Sequence, residues 1–441
     1  MPVKDYKLLD MHIYFSGIGG AGIGPLALIA HQAGYEVSGS DKQNSSYINY
    51  LRHKGINAIH IGQSVEAIAE LHNNQPIDWF VYSSAVALEN PNAPELLFAK
   101  DQNIKISKRD ELINEILTQK HLKIIAIAGT HGKTTTTAML TYLFKKQNIP
   151  ISYLLPAKTS FAEMGEYNEG SEYFIYEADE FDRNFLSFEP EMSLISGVSW
   201  DHHEIYPSRE DYQEAFREFI SQSKQTLIWK EDSDYLGLTE GQGIVVLNSS
   251  DTQINKIDLI GKYNRLDAFL AVSTSHMITH ATTDQLIGII NGFPGLSRRM
   301  EQIAPNLYTD YAHTPEKIKA ALNAAKEIAT SKDCRLVVVY EPLTDRRQHF
   351  IKEEYKNLFN GISKLYWLPS YLAREDQDNP ILTPQELIAY LADPSLAEPA
   401  QKDNQLYAAI KKHLQNGDMV VGIAGGGGGS LDDYLRLKFA Q

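Results

Sequence analysis

Residues 126–140, AIAGTHGKTTTTAML, end an apolar, β-branched run with two glycines, a lysine and four consecutive threonines. Gly129 and Gly132 let successive N–H groups turn into one concavity at a helix N-terminus, where the helix dipole also favours an anion. Lys133 adds a mobile positive charge for the terminal phosphates of a nucleotide, and the Thr134 hydroxyl is placed to ligate Mg²⁺. Thr130 and Thr135 complete the loop. Only two residues separate the glycines, so this is a contracted form of the G-x-x-x-x-G-K-[ST] phosphate loop.

A second glycine cluster lies near the start of the chain. Gly17, Gly19 and Gly22 match G-x-G-x-x-G after a strand-like run, with Gly20 between them, and Asp41 closes the next such run. That pattern brings a diphosphate close to a helix N-terminus. A nucleotide sugar, a redox dinucleotide such as NAD, and a purely structural turn all remain open on these residues. Two further stretches, EADEFDRNF (177–185) and SWDHHEIYP (199–207), follow apolar runs. Glu177 and His202 can therefore project from neighbouring strand ends toward the phosphate loop, where oxygen and imidazole ligands suit Mg²⁺ bridging nucleotide and substrate.

The elements that must position these residues alternate between strand and helix almost throughout, which predicts an α/β chain with mostly parallel sheets. At 441 residues the chain is too long for a single core. Three domains are expected, with boundaries at 1–118, 119–296 and 297–441; Pro294 and Gly295 interrupt the pattern before the third. The composition is that of a globular protein, and the net charge of −15 argues against a nucleic-acid surface. No apolar run reaches the length of a membrane span and no secretory signal pattern is present, so a cytoplasmic location is expected. The single cysteine, Cys334, excludes an intrachain disulfide.

The motifs GIGGAG, AGTHGKTT, EADE, DHHEIY, GKYNRLDAFLA, SRRME and DYAHTPEKI, in that order across essentially the whole chain, resemble the Mur ligase family of peptidoglycan synthesis. The resemblance implies an N-terminal Rossmann-like domain for a UDP-sugar, a central phosphate-loop ATPase and a C-terminal Rossmann-like domain. It implies an enzyme that uses ATP and Mg²⁺ to join L-alanine to the carboxylate of UDP-N-acetylmuramate through an acyl phosphate. A recycling ligase adding a whole tripeptide is the alternative within the family, and an NAD-dependent oxidoreductase or a nucleotide-sensing switch are the alternatives outside it.

Matched by motif, Thr134, Glu177 and His202 would be magnesium ligands and Lys133 would hold the terminal phosphates. Asn264, Arg299 and Asp310 would contact the nucleotide. Tyr311, His313 and Arg347 would lie near the incoming amino acid. Gly19, Gly20 and Gly22, with Asp41, Ser84 and Arg109, would serve the UDP-sugar. Lys133, Glu177, His202, His313 and Arg347 make up the implied catalytic set. The resemblance also implies domain closure about a hinge near Gly292–Ser297, and a monomer or homodimer.

Overall fold

The structure is a computed structural model that describes residues 11–82, 92–201, 205–241, 243–372 and 380–440. Three β-sheets follow one another along the chain, with helices between successive strands. The fold is α/β, as the alternation of segments predicts.

The first sheet contains β1 (His12–Ser16), β2 (Glu36–Asp41), β3 (Ile59–Ile61), β4 (Trp79–Tyr82) and β5 (Lys105–Ser107). Its order is β3-β2-β1-β4-β5 and every pairing is parallel. The strand order reverses beside β1, and ligands of such sheets settle outside the carboxyl ends at that point. The glycine cluster leaves β1 there.

The second sheet contains β6 (Lys123–Ala128), β7 (Ser152–Leu154), β8 (Gly165–Glu166), β9 (Tyr173–Glu177), β10 (Met192–Ile195), β11 (Gln225–Trp229) and β12 (Ile244–Leu247). In the order β12-β11-β10-β6-β9-β7-β8, β6 lies between β9 and β10, both parallel to it. The carboxyl ends of these three strands, which launch the phosphate loop, EADE and SWDHH, therefore sit side by side. Residues 124–128 of β6 and all of β10 are buried, as expected of strands inside a parallel sheet.

The third sheet contains β13 (Glu301–Ala304), β14 (Leu307–Asp310), β15 (Leu336–Glu341), β16 (Lys364–Trp367), β17 (Ala397–Pro399) and β18 (Met419–Ala424). Its order is β13-β14-β18-β15-β16-β17, parallel except for the β13–β14 hairpin. No helix among the described residues is long and apolar enough to cross a membrane.

The chain divides into two compact units, Met1–Ile257 with Leu266–Phe293, and Asp258–Arg265 with Pro294–Gln441. Within the first unit the two leading sheets are not separated by a linker. One hydrophobic cluster runs from Ile13 and Phe15 through Leu112, Ile116 and Leu117 to Tyr176, Phe188 and Ile228. The helix Arg109–Gln119 buries Leu112, Ile113, Ile116 and Leu117 in it. Polar ties reinforce the same face: Asn114 Nδ2 donates to Ser187 O at 2.7 Å, and the Gln32 side-chain oxygen accepts from Tyr167 N–H at 2.8 Å.

The second unit takes in the short segment Asp258–Arg265. The Arg265 guanidinium meets Glu327 Oε1 at 2.8 Å, and Gly261 N–H reaches the other oxygen of that carboxylate at 3.2 Å. Asn264 travels with this segment.

A shared core predicts shared unfolding. Single-tryptophan variants that keep only Trp79 in the first sheet or Trp229 in the second will give coincident denaturation midpoints. Ile116→Ala, which truncates a side chain only 1% exposed in the common cluster, will lower both midpoints together by about 2–5 kcal/mol of stability. Fluorescence-monitored urea titration checks both statements.

Candidate active site

The phosphate loop leaves β6 under tight steric constraint. Gly129 and Gly132 adopt φ of +141° and +79°, a backbone region that glycine alone enters freely. Space is also lacking: a Cβ on Gly129 would stand 2.6 Å from Ser196 Oγ, and one on Gly132 2.5 Å from Asp267 Oδ1. Gly132 caps the helix Lys133–Lys146. The Thr134 hydroxyl, in its first turn, donates to Glu177 Oε2 at 2.8 Å. Thr135 follows in that turn.

Lys133 folds back over its own loop. Its Nζ donates to Gly129 O at 2.7 Å and to Glu180 Oε2 at 2.5 Å, with Asp179 Oδ1 at 3.6 Å. Burial pulls the ammonium toward deprotonation, but Glu180, Asp179 and Glu177 outweigh it and hold its pKa above the ordinary lysine value. Thr130, expected as a nucleotide contact, is bonded within the protein. Its N–H donates to Gly197 O at 2.8 Å, while its hydroxyl bonds Ser199 O and Tyr212 OH, both at 2.7 Å. Both donors serve the protein, so Thr130 ties the loop to the segment after β10.

The glycine turn after β1 spans Gly17 to Ile23, and its helix begins only at Gly24. Gly17 and Ile18 N–H both reach Ser40 O, at 2.8 and 2.9 Å. Asp41 Oδ2 accepts from Gly19 N–H at 2.8 Å, so this carboxylate braces the turn itself. A Cβ on Gly20 would lie 3.2 Å from Gly17 O, and one on Gly22 3.1 Å from Arg109 Nη1. Beneath the turn lies Glu95, only 1% exposed. It accepts hydroxyl bonds from Tyr14 at 2.6 Å and from Ser16 and Ser40 at 2.8 Å. Ser84 and His202 lie outside the described residues.

Arg109 connects the two loops. Its guanidinium borders Gly22 on one side. On the other it lies within electrostatic reach of Tyr176, Asp110, Asp179 and Glu177. The turn after EADE is held from the same direction by Lys108, whose Nζ meets Asp182 Oδ2 at 2.5 Å. Asp182 and Arg183 there are consecutive left-handed residues, with φ of +55° and +56°. Arg109 thus lies between the glycine turn and the EADE carboxylates.

The second unit gathers its own set. Asp310 accepts N–H bonds from Met300 at 2.8 Å and Ala312 at 2.9 Å, with the Arg299 and Arg298 charges beside it. The Arg298 and Arg299 guanidinium groups lie 4.4 and 5.4 Å from the Tyr311 ring centre. Tyr311 meets His313 edge to face at 5.2 Å, and its carbonyl lies 2.9 Å from His313 Nδ1. Arg347 Nη1 is buried with no hydrogen-bond partner among the described residues. The Asn264 amide caps Ile260 O at 2.7 Å.

Among the described residues no three His, Cys, Asp or Glu side chains gather into a metal-binding group. The donors that face the phosphate loop are the Thr134 hydroxyl and the Glu177 carboxylate, both hard oxygens. They fit a Mg²⁺ that completes its shell with phosphate and water.

A contracted phosphate loop at the carboxyl edge of one parallel sheet, bonded through its threonine to the next strand and neighboured by an arginine that also borders a Rossmann-type glycine turn, marks a nucleotide-dependent enzyme. Comparison with known proteins makes the class specific. Residues 12–121 match the Mur ligase family catalytic domain, 127–259 the Mur ligase middle domain and 298–426 the Mur ligase glutamate ligase domain. A UDP-N-acetylmuramate--L-alanine ligase of Fusobacterium nucleatum is 30% identical over 418 residues, covering 83% of this chain and 84% of the relative. One from Clostridium beijerinckii is 28% identical and covers 95% of both chains. The crystal structure of UDP-N-acetylmuramate-alanine ligase MurC from Thermotoga maritima shares the fold with a TM-score of 0.73 at 23% identity, covering 95% of this chain and 96% of that one. A murein peptide ligase from Psychrobacter arcticus does so at 0.63 and 20%, again over 95% and 96%. The chain belongs to the Mur ligase family and is an ATP-dependent ligase.

His313 supplies a pH test. Burial, helped by the Lys317, Arg347 and Arg299 charges, lowers its pKa from 6.5 to about 3. The folded protein keeps the ring neutral while the unfolded chain protonates it near the ordinary value. The stability this gives is complete above about 6.5 and is lost as the pH falls toward 3. NMR will show no His313 titration between about pH 5 and 8. His313→Gln will shrink the loss of stability on acidification below pH 6.5. Denaturant midpoints across that window measure it.

Proposed function

We propose that the protein joins L-alanine to the carboxylate of UDP-N-acetylmuramate in peptidoglycan precursor synthesis, forming an acyl phosphate at the expense of ATP. The observation that carries this reading is Arg109, set between the glycine turn and the carboxylates of the phosphate loop. A sugar held by its diphosphate at the first loop would extend its own carboxylate past Arg109 toward the terminal phosphate of ATP.

A carboxylate is a poor nucleophile toward a triphosphate because like charges repel, so cations must offset both before in-line transfer. Lys133 stays charged for this task, and Arg109 steadies the incoming carboxylate. When bound, Mg²⁺ held by Thr134, Glu177 and His202 would supply further neutralisation of the phosphates. The carboxylate oxygen attacks the γ-phosphorus and ADP leaves. The amine of L-alanine then attacks the acyl carbon, loses a proton and expels phosphate.

Asn264, Arg299 and Asp310 are assigned to the nucleotide. Tyr311, His313 and Arg347 are assigned to the amino acid, the unpartnered N–H of Arg347 suiting a carboxylate. Gly19, Gly20 and Gly22, braced by Asp41, would cradle the UDP diphosphate together with Ser84. Residues 1–118, 119–296 and 297–441 are read as the sugar, ATP and amine domains, and the cytoplasm as the place of work.

Phosphate release from ATP with UDP-N-acetylmuramate, screened across L-alanine, glycine, L-serine and the L-alanyl-containing tripeptide, tests the assignment. L-Alanine will give the highest kcat/KM; preference for the tripeptide overturns it. Lys133→Ala will cost roughly 3 kcal/mol or more of transition-state stabilisation while UDP-sugar binding, read by calorimetry, stays intact. Glu177→Gln will shift the magnesium titration to higher concentration.

A further inference from the structure

The run Gly425–Gly429 is the one low-complexity tract of the sequence, and the roles assigned above leave it unused. It follows β18, the strand between β14 and β15 in the third sheet, and leads into the helix Leu431–Phe439. The two halves of the tract have different surroundings. A Cβ on Gly425 would stand 2.7 Å from His313 Cβ and 3.0 Å from Leu343 Cβ, and one on Gly426 would meet the Tyr371 ring at 2.6 Å. Side chains that follow β14, β15 and β16 thus close directly onto the first two glycines. Gly428 and Gly429 have no neighbour within 4 Å of such a Cβ, and Gly429 takes a φ of +75°. Packing cannot fix this outer half, and glycine backbone left to itself is the most mobile of all.

Side-chain donors hold both halves. Arg298 Nη2 holds Ala424 O at 3.0 Å and Gly426 O at 2.7 Å. The Tyr371 hydroxyl reaches Gly428 O at 3.1 Å, and Lys402 Nζ reaches Gly429 O at 2.7 Å. Lys402 has a second bond, to Glu341 Oε1 at 2.6 Å. Glu341 ends β15, is 1% exposed and accepts Leu431 N–H at 2.8 Å with its other oxygen. A surface lysine paired with a surface carboxylate contributes little. Here the carboxylate is buried, so the ammonium is the counter-charge of a group that cannot turn to water, and the same ammonium grips the loop.

We propose that Lys402 is a positioning residue for the incoming amine: by bridging Glu341 and the Gly429 carbonyl, it fixes the loop that lies against His313. The proposal rests on the assignment of His313 to the amino-acid site.

The test uses the full chain with ATP, UDP-N-acetylmuramate and the amine that the wild type accepts. Lys402→Met will raise KM for the amine about tenfold, while KM for ATP and for the UDP-sugar is unchanged and kcat stays within about twofold. Adding Glu341→Gln to that variant will leave the amine KM raised, because Gly429 O is still ungripped. The neutral amide accepts Leu431 N–H and leaves no buried charge unpaired. Hydrogen exchange at residues 427–431 will be faster in Lys402→Met and in the double variant alike.

An unchanged amine KM with unchanged exchange overturns the proposal. So does an equal rise in KM for all three substrates, or a double variant that regains the wild-type amine KM, either of which marks a role other than holding the loop. A wild type that accepts none of the screened amines refutes the proposed activity. The exchange measurement then still decides whether Lys402 holds the loop.

Discussion

Everything at the phosphate loop depends on a lysine ammonium held among carboxylates at the carboxyl end of β6. Lys133 and Glu180 are 2.5 Å apart, and Asp179 and Glu177 reinforce the pair. A buried charge survives only when paired. The pairing keeps Lys133 protonated, while its bond to Gly129 O curls it over the loop that it serves. Glu177 is drawn to the same place by the Thr134 hydroxyl. The arrangement requires β9 beside β6, and the crossover order of the second sheet supplies that adjacency.

Much of this was legible in the sequence, because glycine spacing and apolar runs report local backbone. The contracted loop, the glycine turn, the strands that carry EADE and SWDHH and the α/β class all follow from short stretches. Pairings between distant residues do not. Glu180 stands three positions beyond Glu177 in the same motif, yet nothing local shows that it, and not Glu177, bonds Lys133. Asp267 against Gly132, Glu95 beneath the glycine turn and Lys402 on Glu341 join residues far apart in sequence. Nor does position in a motif show where a hydroxyl turns: that of Thr130 turns to Ser199 and Tyr212. The motif places of Ser84 and His202 were equally legible, but they fall outside the described residues.

The two glycine-rich loops of the first unit solve the same problem by different means. Both leave the carboxyl end of a parallel strand and lead into a helix. The phosphate loop is stiffened by the close approach of Ser196 and Asp267 to its glycines, the N-terminal turn by a carboxylate that accepts one of its own N–H groups. Between them, Arg109 is a charge that both sites feel.

The core common to the first two sheets bears on how such a chain can be remodelled by recombination. The helix Arg109–Gln119 buries one face against residues of both sheets. A crossover placed in the apparent gap just after it would unite a foreign helix face with native strands. Exchange of the first-sheet module between relatives is therefore restricted to partners that already share the complementary surface. Its specificity is free to drift through the loops above the sheet while the face below is inherited as a block.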